Sequence, residues 1–273
     1  MSSDTMPTIQ AISKDGATIG CYVLGSGPGL LIVHGGGGRA TDYRALAQQL
    51  ADSFTIYLLD RRGRGLSSPQ GDDYRIEQEY SDVIAVLERT GCKLVFAHSY
   101  GGSVALGAAR LYPIDKLALY EPALSIGEPL ISDEKVASIR APLERGDQLG
   151  ALRAWLQGSD LAAAFGLTDE QLMAHFAALA HANTRDWQNL AEVLPTLIHE
   201  GKAANLLTDV QPYANISANT LLIQGEQTGE PLQAPIRALE SVLPHVHTVY
   251  LPGQGHSGGT DLLGTILKQF FET

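Results

Sequence analysis

The run Leu94-Val95-Phe96-Ala97-His98-Ser99-Tyr100-Gly101-Gly102 constrains this chain more than any other stretch. β-Branched and aromatic residues stop at a serine, and two glycines then open an alanine-rich stretch. This order predicts a strand, a sharp turn and a helix, with the serine hydroxyl raised above a sheet and small neighbours leaving room for the turn. The pattern is G-x-S-x-G with Ala97 in place of the first glycine. A small-x-Ser-x-Gly match is common by chance, so its weight depends on the rest of the chain.

A length of 273 residues accommodates one large domain, or a core with an insertion, around a sizeable interior. The net charge of −11 argues against a nucleic-acid surface or an anionic membrane as partner. Cys21 and Cys92 lie far apart in apolar contexts and read as small core residues, without metal-ligand spacing. The N-terminal residues carry no basic region followed by an apolar stretch, and no apolar run reaches the length of a membrane span. A cytoplasmic location is the expectation.

Short β-rich runs alternate with helical patterns. Strands are expected over Thr18–Leu24, Leu30–Val33, Phe54–Leu59, Leu94–Ala97, Leu117–Tyr120, Thr220–Gln224 and Thr248–Leu251. Helices are expected over Asp42–Leu50, Ile76–Arg89, Gly101–Tyr112 and Asp261–Phe271. Continuously apolar strands separated by helices indicate a mostly parallel sheet in an α/β architecture. From about Ala123 to Leu207 the alternation fails and the patterns are helical, as in Leu149–Leu156, Asp169–His181 and Arg185–Leu197. We therefore expect a core of residues 1–122 and 208–273, with residues 123–207 as a helical insertion lying over the sheet.

Four pieces in order carry a resemblance to a known family. They are the His34-Gly35-Gly36-Gly37 loop, the Asp60-Arg61-Arg62-Gly63-Arg64-Gly65-Leu66-Ser67 turn, the Ala97-to-Gly102 turn and Leu251-Pro252-Gly253-Gln254-Gly255-His256. Over nearly its whole length the chain resembles the α/β-hydrolase fold family. The resemblance implies a mostly parallel sheet flanked by helices, with the insertion as a helical cap.

It also implies a chemistry. A serine hydroxyl is a weak nucleophile at neutral pH and needs a base to take its proton. Ser99 stands at the nucleophile position and His256 where the family places its base. His34 is expected to brace the glycine loop, His98 to turn away from the site, and His245 and His247 to lie at the surface or on a strand face. The usual acid follows the strand Thr220–Gln224, but the matching position is Thr228, a neutral residue that cannot stabilise an imidazolium. Some family members carry the acid one strand earlier, and here Glu121 follows Leu117–Tyr120, with Pro122 next. Glu121 is therefore the expected acid, ahead of Glu226 and Glu230. The backbone N–H groups of Gly36 and Tyr100 are the implied oxyanion donors.

The implied reaction is acyl transfer through an acyl-enzyme, with no metal or organic cofactor. The partner is a small-molecule substrate, preferably a neutral ester or lactone. Gly35, Trp155 and Phe176 are candidates for lining its pocket. Arg61, Arg62 and Arg64 are expected to brace the core. Carbon–carbon bond hydrolysis and a hydrolase-like small-molecule receptor stand as alternatives, and the oligomeric state is left open.

Overall fold

The alternation of apolar runs is realised in a computed structural model that describes residues 6–257 and 260–273. Among these, eight strands form one sheet: β1 (Thr8–Ile12), β2 (Thr18–Gly25), β3 (Gly29–Val33), β4 (Thr55–Leu59), β5 (Leu94–His98), β6 (Lys116–Tyr120), β7 (Asn219–Gly225) and β8 (Val246–Leu251). The spatial order is β1-β2-β4-β3-β5-β6-β7-β8. β1 with β2, and β2 with β4, pair antiparallel; every later pairing is parallel.

Two cores follow from the period-two alternation of strand side chains. On one face Leu31, Val33, Val95, Ala97, Leu117 and Leu119 pack with α2 (Ile76–Thr90) and α3 (Tyr100–Ala109). On the other Leu30, Ile32, Ile56, Leu58, Phe96 and Ile223 pack with α1 (Arg44–Leu50) and α11 (Thr260–Glu272). Helix α2 buries Ile76, Tyr80, Val83 and Leu87, residues three or four apart that share a face. It ends at Gly91, whose φ of 71° is the left-handed cap that glycine adopts without strain.

Between β6 and β7 the described chain is helical: α4 (Asp133–Glu144), α5 (Gln148–Leu156), α6 (Leu161–Ala164), α7 (Asp169–His181), α8 (Arg185–Val193) and α9 (Thr196–Asn205). These helices share an apolar core that includes Ile139, Leu152, Trp187 and Leu197. Both ends of the segment are rooted in the sheet's own core, through Ala123 and Leu124 at one end and Ala203 and Ala204 at the other.

Several expectations shift. The helix expected over Arg185–Leu197 stops at Val193, and Pro195 instead caps the start of α9. Proline has no N–H to donate and its ring clashes with the preceding turn, so two helices replace one. The helix expected from Asp42 begins as a 3-10 turn over Ala40–Tyr43 before α1. Sequence reading missed β1, α4 and α10 (Gln233–Glu240). No helix among the described residues is long and apolar enough to cross a membrane.

β3 is flanked by β4 on one side and β5 on the other, so the winding direction reverses between them. In open α/β sheets a crevice forms at the carboxyl ends of the two strands at such a reversal. Here those ends are the His34–Gly38 loop and Ser99.

Candidate active site

Ser99 occupies a strained position, with φ of 53° and ψ of −124° between β5 and α3. A non-glycine residue holds such a conformation only when its surroundings over-determine it. Here Ser99 N–H donates to Tyr120 O (2.9 Å), while Ser99 O accepts from Gly102 N–H (2.8 Å) and Ala123 N–H (3.1 Å). The glycines that follow are sterically required. A Cβ on Gly101 would stand 2.3 Å from His34 O, and one on Gly102 2.9 Å from Pro122 Cβ. The hydroxyl is thereby lifted to the mouth of the crevice.

His256 reaches it from the loop after β8, Nε2 to Ser99 Oγ at 2.9 Å. Its Nδ1 lies 2.5 Å from Glu121 Oε2. A carboxylate only accepts, so Nδ1 carries the hydrogen and Nε2 is left to accept the serine proton. Glu121 is completely buried, while a quarter of the His256 side chain is exposed. The other Glu121 oxygen accepts from Gly225 N–H at 2.7 Å. Glu121 also has a left-handed backbone, with φ of 45°. The turn is held by Glu121 N–H donating to Ile223 O at 3.1 Å.

The runner-up acids lie elsewhere. Glu226 accepts from Gly253 N–H at 3.1 Å. Glu230 is exposed and pairs with Arg237. Thr228 is buried and lines the cavity.

The glycine loop faces Ser99 from the end of β3. A Cβ on Gly35 would stand 3.1 Å from Ser99 Cβ, and one on Gly36 3.8 Å from Tyr100 Cβ. Gly35 O accepts from His34 Nδ1 (2.9 Å), Arg61 Nη1 (3.1 Å) and Gly38 N–H (3.4 Å). The Gly35–Gly36 peptide is planar and trans, so its N–H points opposite its carbonyl. Pinning that oxygen turns the Gly36 N–H away from those donors. Tyr100 N–H is the first amide of α3, where unpaired donors and the helix dipole favour negative charge.

Buried ion pairs hold this arrangement. Arg61 Nε and Nη2 contact both oxygens of Glu79, at 2.6 and 2.9 Å, and Nη2 also reaches Glu200 Oε1 at 2.7 Å. Burial opposes its charge, but Glu200 and Glu79 outweigh that and hold the guanidinium well above its ordinary range. Arg62 forks onto Asp82 at 2.6 and 2.7 Å, and Arg64 donates to Gly38 O at 3.1 Å. Arg62 thus ties its own turn to α2, while Arg61 and Arg64 brace the glycine loop. His34 does so as well, accepting from Arg61 N–H at 3.1 Å. Burial, followed by the nearby charges of Arg61 and Arg64, drives its imidazole well below the usual range, so it stays neutral.

His98 departs from expectation. Rather than turning away, its ring lies 4.8 Å from that of His256 and it contributes to the cavity wall. The side chain shares the strand face of Phe96, two residues earlier on β5, and at the strand's end that face lies under the His256 loop. The alternation was legible in the sequence; the position of that loop was not.

The crevice opens into a cavity of about 840 Å³ beneath the helical segment. Gly35, Trp155 and Phe176 line it, with Leu190, Val193 and Leu197. Its ionisable lining includes Asp42, Asp160, Glu200 and Glu230 against a single lysine, Lys135, among the described residues. Sequence reading missed Glu200, which lies on α9 beyond any motif. Trp187 packs inside the helical segment and Phe165 is exposed. No group of three or more His, Cys, Asp or Glu among the described residues is placed to hold a metal ion.

This fold and crevice define an α/β hydrolase. The alpha/beta hydrolase family profile matches residues 30–261, and the chain belongs to that family. The 2-(acetamidomethylene)succinate hydrolase of Mesorhizobium japonicum is 27% identical over 248 residues, covering 88% of this chain and 85% of that protein. An uncharacterised hydrolase of Bacillus subtilis is 36% identical over 115 residues, 40% of this chain, and the match spans 42% of that relative's length. An alpha/beta hydrolase structure from Sphaerobacter thermophilus superposes with a TM-score of 0.78 at 26% identity, covering 96% of this chain and 100% of that one.

Proposed function

We propose that the chain is a serine hydrolase that opens a carboxylic ester, lactone or similar acyl bond of a small neutral substrate. The observation that carries this reading is the hydrogen-bonded series from Ser99 Oγ through His256 to Glu121, set beside the amides of Gly36 and Tyr100.

Ser99 Oγ attacks the carbonyl carbon as His256 Nε2 takes its proton, and Glu121 stabilises the imidazolium that forms. The carbonyl oxygen gains negative charge and is met by the Gly36 and Tyr100 N–H groups, each worth roughly 3 kcal/mol in comparable sites. His256 then returns the proton to the departing oxygen, leaving an ester on Ser99. Water, deprotonated by His256, opens that ester and regenerates the serine. The helical segment acts as a cap, with Trp155 and Phe176 offering apolar contact to the substrate. Asp42 and Asp160 against one lysine in the wall, with Glu200 and Glu230 already paired to arginines, favour a neutral substrate over an anionic one.

Turnover of short p-nitrophenyl esters tests the reading. Sustained hydrolysis that disappears in Ser99→Ala is the expected result. Ligand-induced rise of Tm with no turnover favours a receptor and overturns it. The Mesorhizobium relative's name favours a second reading, in which the same three groups open an acyl bond other than an ester.

A further inference from the structure

Asp160 starts α6, yet its side chain does not cap that helix. An aspartate at this position ordinarily accepts from an amide of the first helical turn. Here the main-chain carbonyl of Asp160 accepts from Ala164 N–H at 3.0 Å, while the carboxylate makes no bond to the helix. Both carboxylate oxygens are engaged at Ser257 instead. Oδ2 accepts from Ser257 N–H at 3.1 Å and Oδ1 from Ser257 Oγ–H at 2.9 Å. Ser257 directly follows His256, so a side chain of the helical segment holds the neighbour of the imidazole across 97 positions.

The contact is anchored at both ends. Ala162 and Leu161 of α6 pack into the apolar core of the helical segment, which fixes the carboxylate. On the loop, a Cβ on Gly255 would stand 2.3 Å from Asp160 Oδ2, so the carboxylate lies where glycine alone leaves room. The sheet side grips the same loop by its carbonyls. Gln254 O accepts from Gln227 N–H at 2.9 Å, Gly255 O from Tyr120 Oη–H, and His256 O from His98 Nε2–H at 3.0 Å. His256 O and Ser257 N–H belong to one planar peptide, and in a trans peptide they point in opposite directions. His98 holds one end of that peptide and Asp160 the other.

We propose that Asp160 is a positioning residue for His256: with His98 it clamps the His256–Ser257 peptide and keeps Nε2 in reach of Ser99 Oγ. This rests on the serine hydrolase reading. It makes the helical segment part of what sets the base, in addition to walling the pocket.

Steady-state hydrolysis of p-nitrophenyl butyrate by the intact protein tests the proposal. Asp160→Ala is expected to lower kcat by about tenfold or more, within the roughly 10²-fold that a 1 Å misplacement can cost. KM should change far less, because the contact acts on the reacting groups and not on bound substrate. Asp160→Asn is expected to recover most of the loss, since its amide oxygen accepts from Ser257 N–H and its amide N–H donates to Ser257 Oγ. Asp160→Ser can still cap α6 but has one acceptor on a shorter arm, and it serves the comparison if the alanine variant does not fold. Asp147→Ala is the control in the same segment. Asp147 caps α5 in the ordinary way, accepting from Gly150 N–H at 2.8 Å, so its loss should lower Tm and leave kcat near the parent value. A parent-level kcat in a folded Asp160→Ala or Asp160→Ser variant overturns the inference. So does a loss confined to KM, which would make this cavity-wall residue a substrate contact. A fall in kcat that asparagine does not recover, or that Asp147→Ala shares, also overturns it. Absence of Ser99-dependent turnover in the parent protein is failure of the underlying reading instead.

Discussion

His98 Nε2 donates to the main-chain carbonyl of His256 at 3.0 Å, joining the residue before Ser99 to the one that meets its hydroxyl, 158 positions later. The direction of this bond follows from the carbonyl, which can only accept. Nδ1 is then the acceptor for Tyr43 Oη–H at 2.5 Å. Three rings enclose the imidazole: Tyr43 at 6.2 Å, Tyr120 at 5.0 Å and His256 at 4.8 Å. The strand that presents the serine therefore also anchors the loop that presents the imidazole.

Acid should loosen this anchor. Burial and then the neighbouring His256 depress the His98 pKa to about 3. The unfolded chain protonates it near 6.5. Between those values unfolding takes up a proton, so stability is present above about pH 6.5 and is lost as pH falls toward 3. His34 shifts in the same direction. Removing His98 in His98→Gln is expected to flatten the decline of unfolding free energy between pH 6 and 4.5 by up to about 1.4 kcal/mol per pH unit. Urea titrations of both proteins at several pH values measure this, and parallel slopes would contradict it.

Glu121→Gln is expected to lower kcat by at least about 10²-fold, the scale on which triad acids act. Glutamine retains an acceptor for Gly225 N–H but cannot neutralise an imidazolium. Glu226→Gln and Glu230→Gln are expected to stay close to the parent rate. Steady-state kinetics with one ester decide, and a mild Glu121 variant beside a crippled Glu226 variant reverses the assignment.

In the proposed reaction Arg61 is expected to act as a positioning residue for the Gly36 N–H, through its bond to Gly35 O. Arg61→Lys keeps a charge but loses the planar fork that reaches Glu79, Glu200 and Gly35 at once. A misdirected Gly36 N–H weakens transition-state binding more than ground-state binding. The expected result is a kcat lowered by about tenfold or more, within the cost of losing one oxyanion donor, with KM changed far less. A rise in KM at constant kcat would place Arg61 in substrate binding instead.

Gly101→Ala is expected to destabilise the fold by about 2 kcal/mol or more, since overpacking against rigid backbone typically costs 1–3 kcal/mol. Its Cβ would press on His34 O at 2.3 Å and Val33 O at 2.6 Å. Gly127→Ala is the control: its φ is 86°, yet nothing lies within 4 Å of the added carbon. Thermal unfolding should show the larger loss for Gly101→Ala.

Much of the fold was legible in linear order. Continuous apolar runs announced the parallel strands, because strands buried on both faces have no polar positions to alternate. The serine turn was readable from small residues packed around one hydroxyl. β1 was missed because it is short and largely exposed, its burial confined mainly to Ala11. The α8–α9 break was there to be read in Pro195, where helical periodicity on both sides masked it.

What the sequence determined by itself was local: which segments extend, which coil, and where glycine or proline forces the backbone to turn. Tertiary structure decided which distant groups meet. It placed Glu121 rather than Glu226 against the His256 ring, drew His98 beneath the same loop, and set Glu200 from a remote helix beside Gly36. Backbone preferences act over a few residues and leave their mark in the local pattern. The pairing of a carboxylate with an imidazole depends on how sheet, loops and helices pack, and no stretch of neighbouring residues encodes that.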